Sequence, residues 1–154
     1  AASDVYKRQI YNETLRDRVC AVSNKTHYNE VNVLSMHALI GAYQPQGYEW
    51  VDELNQVLAG NIEYFCDYVD EHFEGVSYSR PQGTYMVFLD CTEWCREHDR
   101  DIQWLLDEGA RVGVGYQDGR PFHGPCHIRV NLALPLSRVR EACDRLDRYV
   151  FNAR

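Results

Sequence analysis

An α/β fold is what the order of elements in this chain predicts: a small sheet of three or four strands packed by helices, with one long helix ahead of it. Three observations carry that reading. Apolar residues recur at spacings of three and four from Trp50 to Phe73, the period of one amphipathic helix of about 25 residues. Two runs of strand-forming residues follow, at 84–90 and 127–132. Helical spacing then returns in Val139, Ala142, Cys143, Leu146, Tyr149 and Val150.

Taken in order, the elements have recognisable starts and stops. Asn12 can cap a short helix over 13–22, with Glu13 at its positive end. Residues 23–30, SNKTHYNE, are a polar break. Val33, Leu34, Met36, Leu39, Ile40 and Tyr43 share a helical face, and Pro45 with Gly47 closes that helix. The long helix carries Gly60 inside it, at a cost of about 1 kcal/mol relative to alanine, and Gly75 stops it. Val76-Ser77-Tyr78 reads as a short strand, Pro81-Gln82-Gly83 as a turn, and 84–90 as a buried strand. Two short helices are expected at 93–97 and 101–108, the second ended by Gly109. Residues 111–114 read as a strand. GYQDGRPFHGP, residues 115–125, is a glycine- and proline-rich loop with polar tips, the kind of connection that carries function. The alternation of His127-Ile128-Arg129-Val130-Asn131 makes another strand, and Ser137 can cap the last helix.

The bulk properties narrow the function classes. A chain of 154 residues is one domain by the usual measure of roughly 100–200 residues. A net charge of −7 argues against a nucleic-acid surface, which needs basic stripes, but leaves room for an anion site built on one arginine. No stretch reaches the ~20 apolar residues of a membrane span, and no secretion signal is expected at the N-terminus. The six cysteines are irregularly spaced and read as reduced, which suits a cytoplasmic protein. Eleven tyrosines and three tryptophans are many for one domain, and such rings favour interfaces. The first nine residues, AASDVYKRQ, are polar and patternless and read as a non-native leader.

Arg129 is the most informative residue. Alternation puts it with Asn131 on one face of its strand and Ile128 with Val130 on the other. A guanidinium within a sheet needs an anion. Its fork suits a carboxylate, supplied either by a protein Asp or Glu or by a ligand. Spacing alone favours the structural salt bridge.

Three ordered motifs change that weighting. They are P-x-G-T-Y before an apolar strand ending in Asp90, a DGR-x-F-x-G loop from Asp118 to Gly124, and R-x-N-x-A-x-P from Arg129 to Pro135. With the long helix ahead of them, they resemble the small domain of the class I/II aminotransferase fold of pyridoxal 5'-phosphate (PLP) enzymes, in its cystathionine β-lyase-like branch. The resemblance runs from about residue 10 to the C-terminus. It implies that residues 10–46 are the tail end of a large cofactor-binding domain. Residues 47–154 would then be the small C-terminal domain with its linking helix. It implies PLP as cofactor, an amino-acid substrate and a homodimer in the intact protein. The arginine of the R-x-N-x-A-x-P stretch binds the substrate α-carboxylate in that family, and Arg129 takes this role by resemblance. Tyr116 and Asp118, in the loop, are candidate site-lining residues. In a lyase of this kind the Cα proton is removed, the β-thiolate leaves, and the released aminoacrylate hydrolyses to pyruvate and ammonia. One departure is Pro135-Leu136-Ser137, where the family usually carries a basic residue after the proline.

The Schiff-base lysine that such chemistry needs is not expected in this chain. Lys7 lies in the leader. Lys25 faintly echoes the family's lysine motif, but it follows the segment Ile10-Tyr11-Asn12-Glu13 where the family's lysine precedes it, so a polar turn is the better reading. This stretch alone is therefore expected to be inactive. No metal site is expected. Cys91-x3-Cys95-x2-His98 is better read as packed side chains than as ligands. His37 reads as a packed helix residue, and Gly113-x-Gly115 lacks the rest of a dinucleotide loop. Asp67, Asp70, Glu71 and Glu74 form a solvated helix face. The expected function is part of a PLP-dependent C–S β-lyase acting on sulfur amino acids. The alternatives are an aminotransferase of the same fold or a non-catalytic α/β interaction module. The enzyme reading expects a large exposed apolar patch on the first helices and the long helix; the module expects those helices packed against the sheet, and a third possibility, a carboxylate-binding regulatory domain, expects Arg129 open to solvent with its own complete pocket.

Overall fold

The chain divides into two units, Ala1–Asp52 and Glu53–Arg154. The computed structural model describes residues 9–26 and 32–153, so all but the last residue of the expected leader, and the second half of the polar break, lie outside the described residues.

The first unit is helical. Helix α1 spans Glu13–Thr26 and α2 spans Val33–Ala42. As expected, Asn12 caps α1, its Oδ1 accepting a hydrogen bond from the Leu15 amide at 2.9 Å. The helix runs about a turn beyond the expected end and takes in Lys25. Asn32 caps α2 in the same way, through the Ser35 amide. The connection to the next helix is only Tyr43-Gln44. Helix α3, Pro45–His72, starts earlier than the period from Trp50 suggests: Pro45 opens it, since its fixed φ and missing N–H suit a first helical turn. Gly47 is required by the tight approach, because a Cβ there would lie 2.0 Å from the Ala42 carbonyl oxygen. None of the residues of α1 or α2 is buried, and His37 is exposed rather than packed.

The second unit has the sheet and the core. Strands β1 (Ser77–Tyr78), β2 (Met86–Asp90), β3 (Gln117–Asp118) and β4 (His127–Asn131) form one antiparallel sheet in the order β1-β2-β4-β3. The register pairs Val87 with Val130 and Leu89 with Ile128, which places those four side chains on one face. Val87, Leu89 and Ile128 are fully buried there, in a core shared with Phe65 and Val69 of α3 and with residues of the later helices. These are α4 (Thr92–Glu97), α5 (Ile102–Arg111) and α6 (Leu136–Leu146), the last continuing as a π-helical turn over Asp147–Phe151. Phe151 closes the core: its ring stacks on Phe73, and its carbonyl accepts the Trp94 indole N–H at 3.2 Å. Among the described residues no helix is long and apolar enough to cross a membrane.

Three expected boundaries move. Gly109 does not end α5; Gly113 does. With φ at +77°, Gly113 donates to the Ala110 carbonyl and Val114 to the Gly109 carbonyl, the paired closure of a left-handed helix cap. Residues 111–114 are therefore helix end and cap, not strand, and the edge strand forms only at Gln117–Asp118, as β3. Gly109 instead makes room: a Cβ there would stand 2.5 Å from the Tyr116 ring. Ser137 does not cap α6. The helix begins at Leu136 behind Pro135, whose carbonyl accepts from the Arg138 amide at 2.8 Å.

Candidate functional site

The register that buries Val87, Leu89, Ile128 and Val130 on one face puts Met86, Phe88, Asp90, His127, Arg129 and Asn131 on the other. Ladder pairing aligns Phe88 of β2, Arg129 of β4 and Gln117 of β3 in one row across the sheet. A chain exit holds β4 in place: buried Asn61 of α3 donates its Nδ2 to the carbonyls of Leu132 at 2.9 Å and Leu134 at 2.7 Å. Asn131 accepts from the Ala133 amide at 2.8 Å, turning the chain after the strand.

Arg129 is half-buried in this row. Its Nε donates to Oε1 of Gln117 at 2.7 Å. Its guanidinium carbon lies 4.1 Å from the centre of the Phe122 ring, a cation–π contact. Among the described residues, no carboxylate forms an ion pair with Arg129, so the structural salt bridge favoured by spacing alone is not made. A partly desolvated guanidinium with its two Nη groups turned to no protein anion can accept an external one.

The loop of residues 119–124 lies over the same face. Gly119 and Gly124 are buried against His127, where a Cβ on either would come within 2.7 Å of that residue, and the Gly124 Cβ within 2.5 Å of Phe88. The missing side chains let the loop descend and bring Phe122, in a 3-10 turn over Arg120–Phe122, onto Arg129. Beside this, the His127 ring tilts on Phe88 at 4.6 Å, and its Nε2 stands 3.8 Å from Asp90 Oδ2. Its Nδ1 is buried without a partner among the described residues. Burial raises the Asp90 carboxyl, but hydrogen bonds from the Thr92 hydroxyl and amide, with the nearby His127, outweigh it and hold the group below the usual carboxylate range.

Tyr116 and Asp118 fall on the opposite side. Asp118 pairs with Ile128 and so shares the helix-packed face. Its carboxylate accepts from the Arg120 amide at 2.9 Å and from Arg120 Nε at 2.8 Å, and those bonds lower its pKa. Arg120 in turn reaches Gln103 of α5 at 2.8 Å. The Tyr116 hydroxyl donates to the Leu105 carbonyl, and burial pushes the phenol up. The fold therefore brings neither residue beside the Arg129 guanidinium. It brings Gln117 and Phe122 there instead, residues that the sequence reading did not single out. The alternation of Tyr116-Gln117-Asp118 was the available signal: the middle residue must face away from its neighbours.

Elsewhere, Cys91 and Cys95 are buried, and burial pushes the Cys95 thiol up to about 12, which makes it a poor nucleophile. His98 stacks on Trp94 at 4.3 Å and meets the Trp94 carbonyl through Nδ1 at 2.9 Å. Lys25 sits exposed in the last turn of α1.

Comparison with known proteins shows the family and the fold. The family described as aminotransferase class I and II matches residues 10–146. A Mycobacterium leprae (strain TN) protein provisionally named cystathionine beta-lyase is 35% identical over 120 residues, covering 70% of this chain and 30% of that protein. A Mycobacterium tuberculosis protein with the same provisional name is 31% identical over 124 residues, with the same coverage. Among solved structures, the PLP-bound C-S lyase from Staphylococcus hominis superimposes with a TM-score of 0.73 at 24% identity, over 90% of this chain and 35% of that one. Cystalysin from Treponema denticola gives 0.74 at 23% identity, over 90% and 34%. The chain thus spans about a third of the length of the relatives it matches.

Proposed function

Because the chain belongs to the class I and II aminotransferase family, we propose that it forms the substrate-carboxylate-binding part of a PLP-dependent C–S β-lyase, which releases a thiol, pyruvate and ammonia from a sulfur amino acid. The observation that carries the proposal is Arg129: a half-buried guanidinium in a central strand, braced by Gln117 and Phe122, with no carboxylate paired to it among the described residues. The lean to a lyase rests on the provisional names of the mycobacterial relatives at 31–35% identity. An aminotransferase of the same fold would use the same arginine.

PLP, bound by the whole protein, supplies an electron sink for the Cα carbanion. The one described lysine, Lys25, is exposed on α1, and the proposal assigns the cofactor to residues beyond this chain. Arg129 grips the α-carboxylate with two parallel N–H···O bonds. That fixes the carboxyl group, one of the four substituents of Cα, which limits the orientations open to the Cα–H and Cα–Cβ bonds and removes part of the entropic barrier to the reaction. Tyr116 and Asp118, bonded to Leu105 and Arg120, hold β3 and its loop against α5 and so keep the Arg129 row in shape. In the same proposal, residues 10–46 end a large domain, 47–154 make the small one, and the whole protein is a cytoplasmic homodimer. The uncovered apolar faces of α1 and α2 support the enzyme over a self-contained interaction module.

The test is Arg129→Ala in the whole protein, with pyruvate release from cystathionine and the cofactor absorbance band followed together. The expected outcome is a protein that keeps its yellow colour and loses about 100-fold in kcat/KM, as expected for two charge-assisted hydrogen bonds. A variant as active as the parent sinks the role of Arg129. A whole protein that binds no PLP sinks the enzyme reading.

A further inference from the structure

Gln117 stands directly opposite Arg129 in the β3–β4 ladder. Their contact therefore joins two paired strands on the same face of the sheet and does not depend on a loose loop. A guanidinium offers a carboxylate two docking edges: the side edge, made of Nε–H and one Nη, and the end, made of both Nη groups. Oε1 of Gln117 lies 2.7 Å from Nε and takes that donor. The side edge is thereby occupied, and the end remains. Phe122 beneath the guanidinium, 4.1 Å from ring centre to the central carbon, sets the tilt of the plane.

We propose that Gln117 is a positioning residue for the substrate carboxylate: by holding Nε of Arg129 it closes the side edge and presents both Nη groups end-on, so the carboxylate docks in one orientation. The inference deepens the carboxylate-binding reading of Arg129 and rests on it. An amide is the suitable partner. It accepts a hydrogen bond from the cation without neutralising it, whereas a carboxylate at this position would form an internal ion pair and compete with the substrate. Gln117 acts through Arg129 and does not itself touch the substrate.

The experiment uses the whole cofactor-loaded protein and four variants: Gln117→Leu, Gln117→Glu, Arg129→Ala and the Arg129→Ala/Gln117→Leu double variant. Calorimetric titration with L-alanine, and with L-alaninamide, which lacks the carboxylate, gives affinity apart from turnover. Gln117→Leu is expected to weaken L-alanine about tenfold, as for one hydrogen bond to a charged group, and to leave L-alaninamide unchanged. Gln117→Glu weakens L-alanine more than Gln117→Leu does. In turnover the loss falls on KM rather than kcat. On the Arg129→Ala background, Gln117→Leu costs nothing further, because the group it positions is gone.

If Arg129→Ala weakens L-alanine but Gln117→Leu does not, the carboxylate reading stands and the positioning role is overturned. If Gln117→Leu costs as much without Arg129 as with it, the role is merely structural and the proposal is overturned. If Arg129→Ala leaves L-alanine affinity intact, the underlying reading falls and the proposal with it. Gln117 is exposed, so its variants are expected to melt with the parent. Should Gln117→Leu melt early, Gln117→Asn, whose amide is too short to reach Nε, takes its place with the same expected and overturning results.

Discussion

The apolar residues of the two units meet opposite fates. In the second, the periodic residues of α3 and α6 and the alternating residues of β2 and β4 converge on one core, with Val87, Leu89, Leu105 and Ile128 fully buried. In the first, the apolar residues of α1 and α2 bury nothing; Leu34 is 83% exposed and Val22 61%. Periodicity tells which face of a helix wants cover. It does not tell what covers it. Helices of this length are marginal alone in water, and the proposed large domain would supply the surface that covers α1 and α2.

The largest effect should come from the second unit's core. Leu89→Ala is expected to cost about 3 kcal/mol, the usual price of a fully buried leucine, measured as a drop in the urea midpoint at unchanged slope. A loss under about 1 kcal/mol would mean that this core is not what holds the sheet. Asn61→Ala should cost about 2 kcal/mol, because the carbonyls of Leu132 and Leu134 lose their donor; on the proposed carboxylate-binding role of Arg129 it should also weaken L-alanine binding by the whole protein, by loosening the end of β4. Leu34→Ala sharpens the contrast. In the isolated chain it should change stability by less than about 0.5 kcal/mol, as at any exposed site. In the whole protein it should cost about 2 kcal/mol or more, as a covered leucine does. Equal small losses in both would break the idea that α2 is covered.

The smallest expected effect is a pH dependence in the second unit. Asp90 and Asp118 titrate below their ordinary values in the folded state. The unfolded chain then binds more protons in that range, so the stability these groups contribute is present above the unfolded carboxylate pKa, near ~3.9, and is lost as pH falls through the folded one. Denaturant midpoints measured from pH 5 downward should fall less steeply in an Asp90→Asn/Asp118→Asn double variant than in the parent. Parallel curves would show that the hydrogen bonds from Thr92 and Arg120 do not favour the charged forms.

Much of the fold was legible in local signals. The helical periods of α3 and α6, the cap at Asn12, the strand around 86–90 and the alternation of β4 all follow from short-range pattern, as does the placing of Arg129 opposite Ile128 and Val130. The misreadings were equally local. Gly109 and Gly113 are both plausible helix stops, and only the ring of Tyr116 against Gly109 and the left-handed φ of Gly113 separate their roles. Residues 111–114 have strand-forming valines, but the helix cap claimed them first.

By itself, the sequence determined which residues could be buried, that α1 begins at an Asn12 cap, that one arginine interrupts a central strand, and which family the ordered motifs resemble. These are matters of side-chain chemistry and spacing. Only the tertiary structure decided what stands beside that arginine. A two-residue strand such as β3 has no register of its own; its pairing with β4, ten residues further on, turns Gln117 toward Arg129 and sends Tyr116 and Asp118 to the helix side. Because side chains alternate with a period of two, that one non-local pairing sets the face of every residue in the strand. The small residues Gly119 and Gly124, packed against His127, then bring Phe122 down onto the guanidinium.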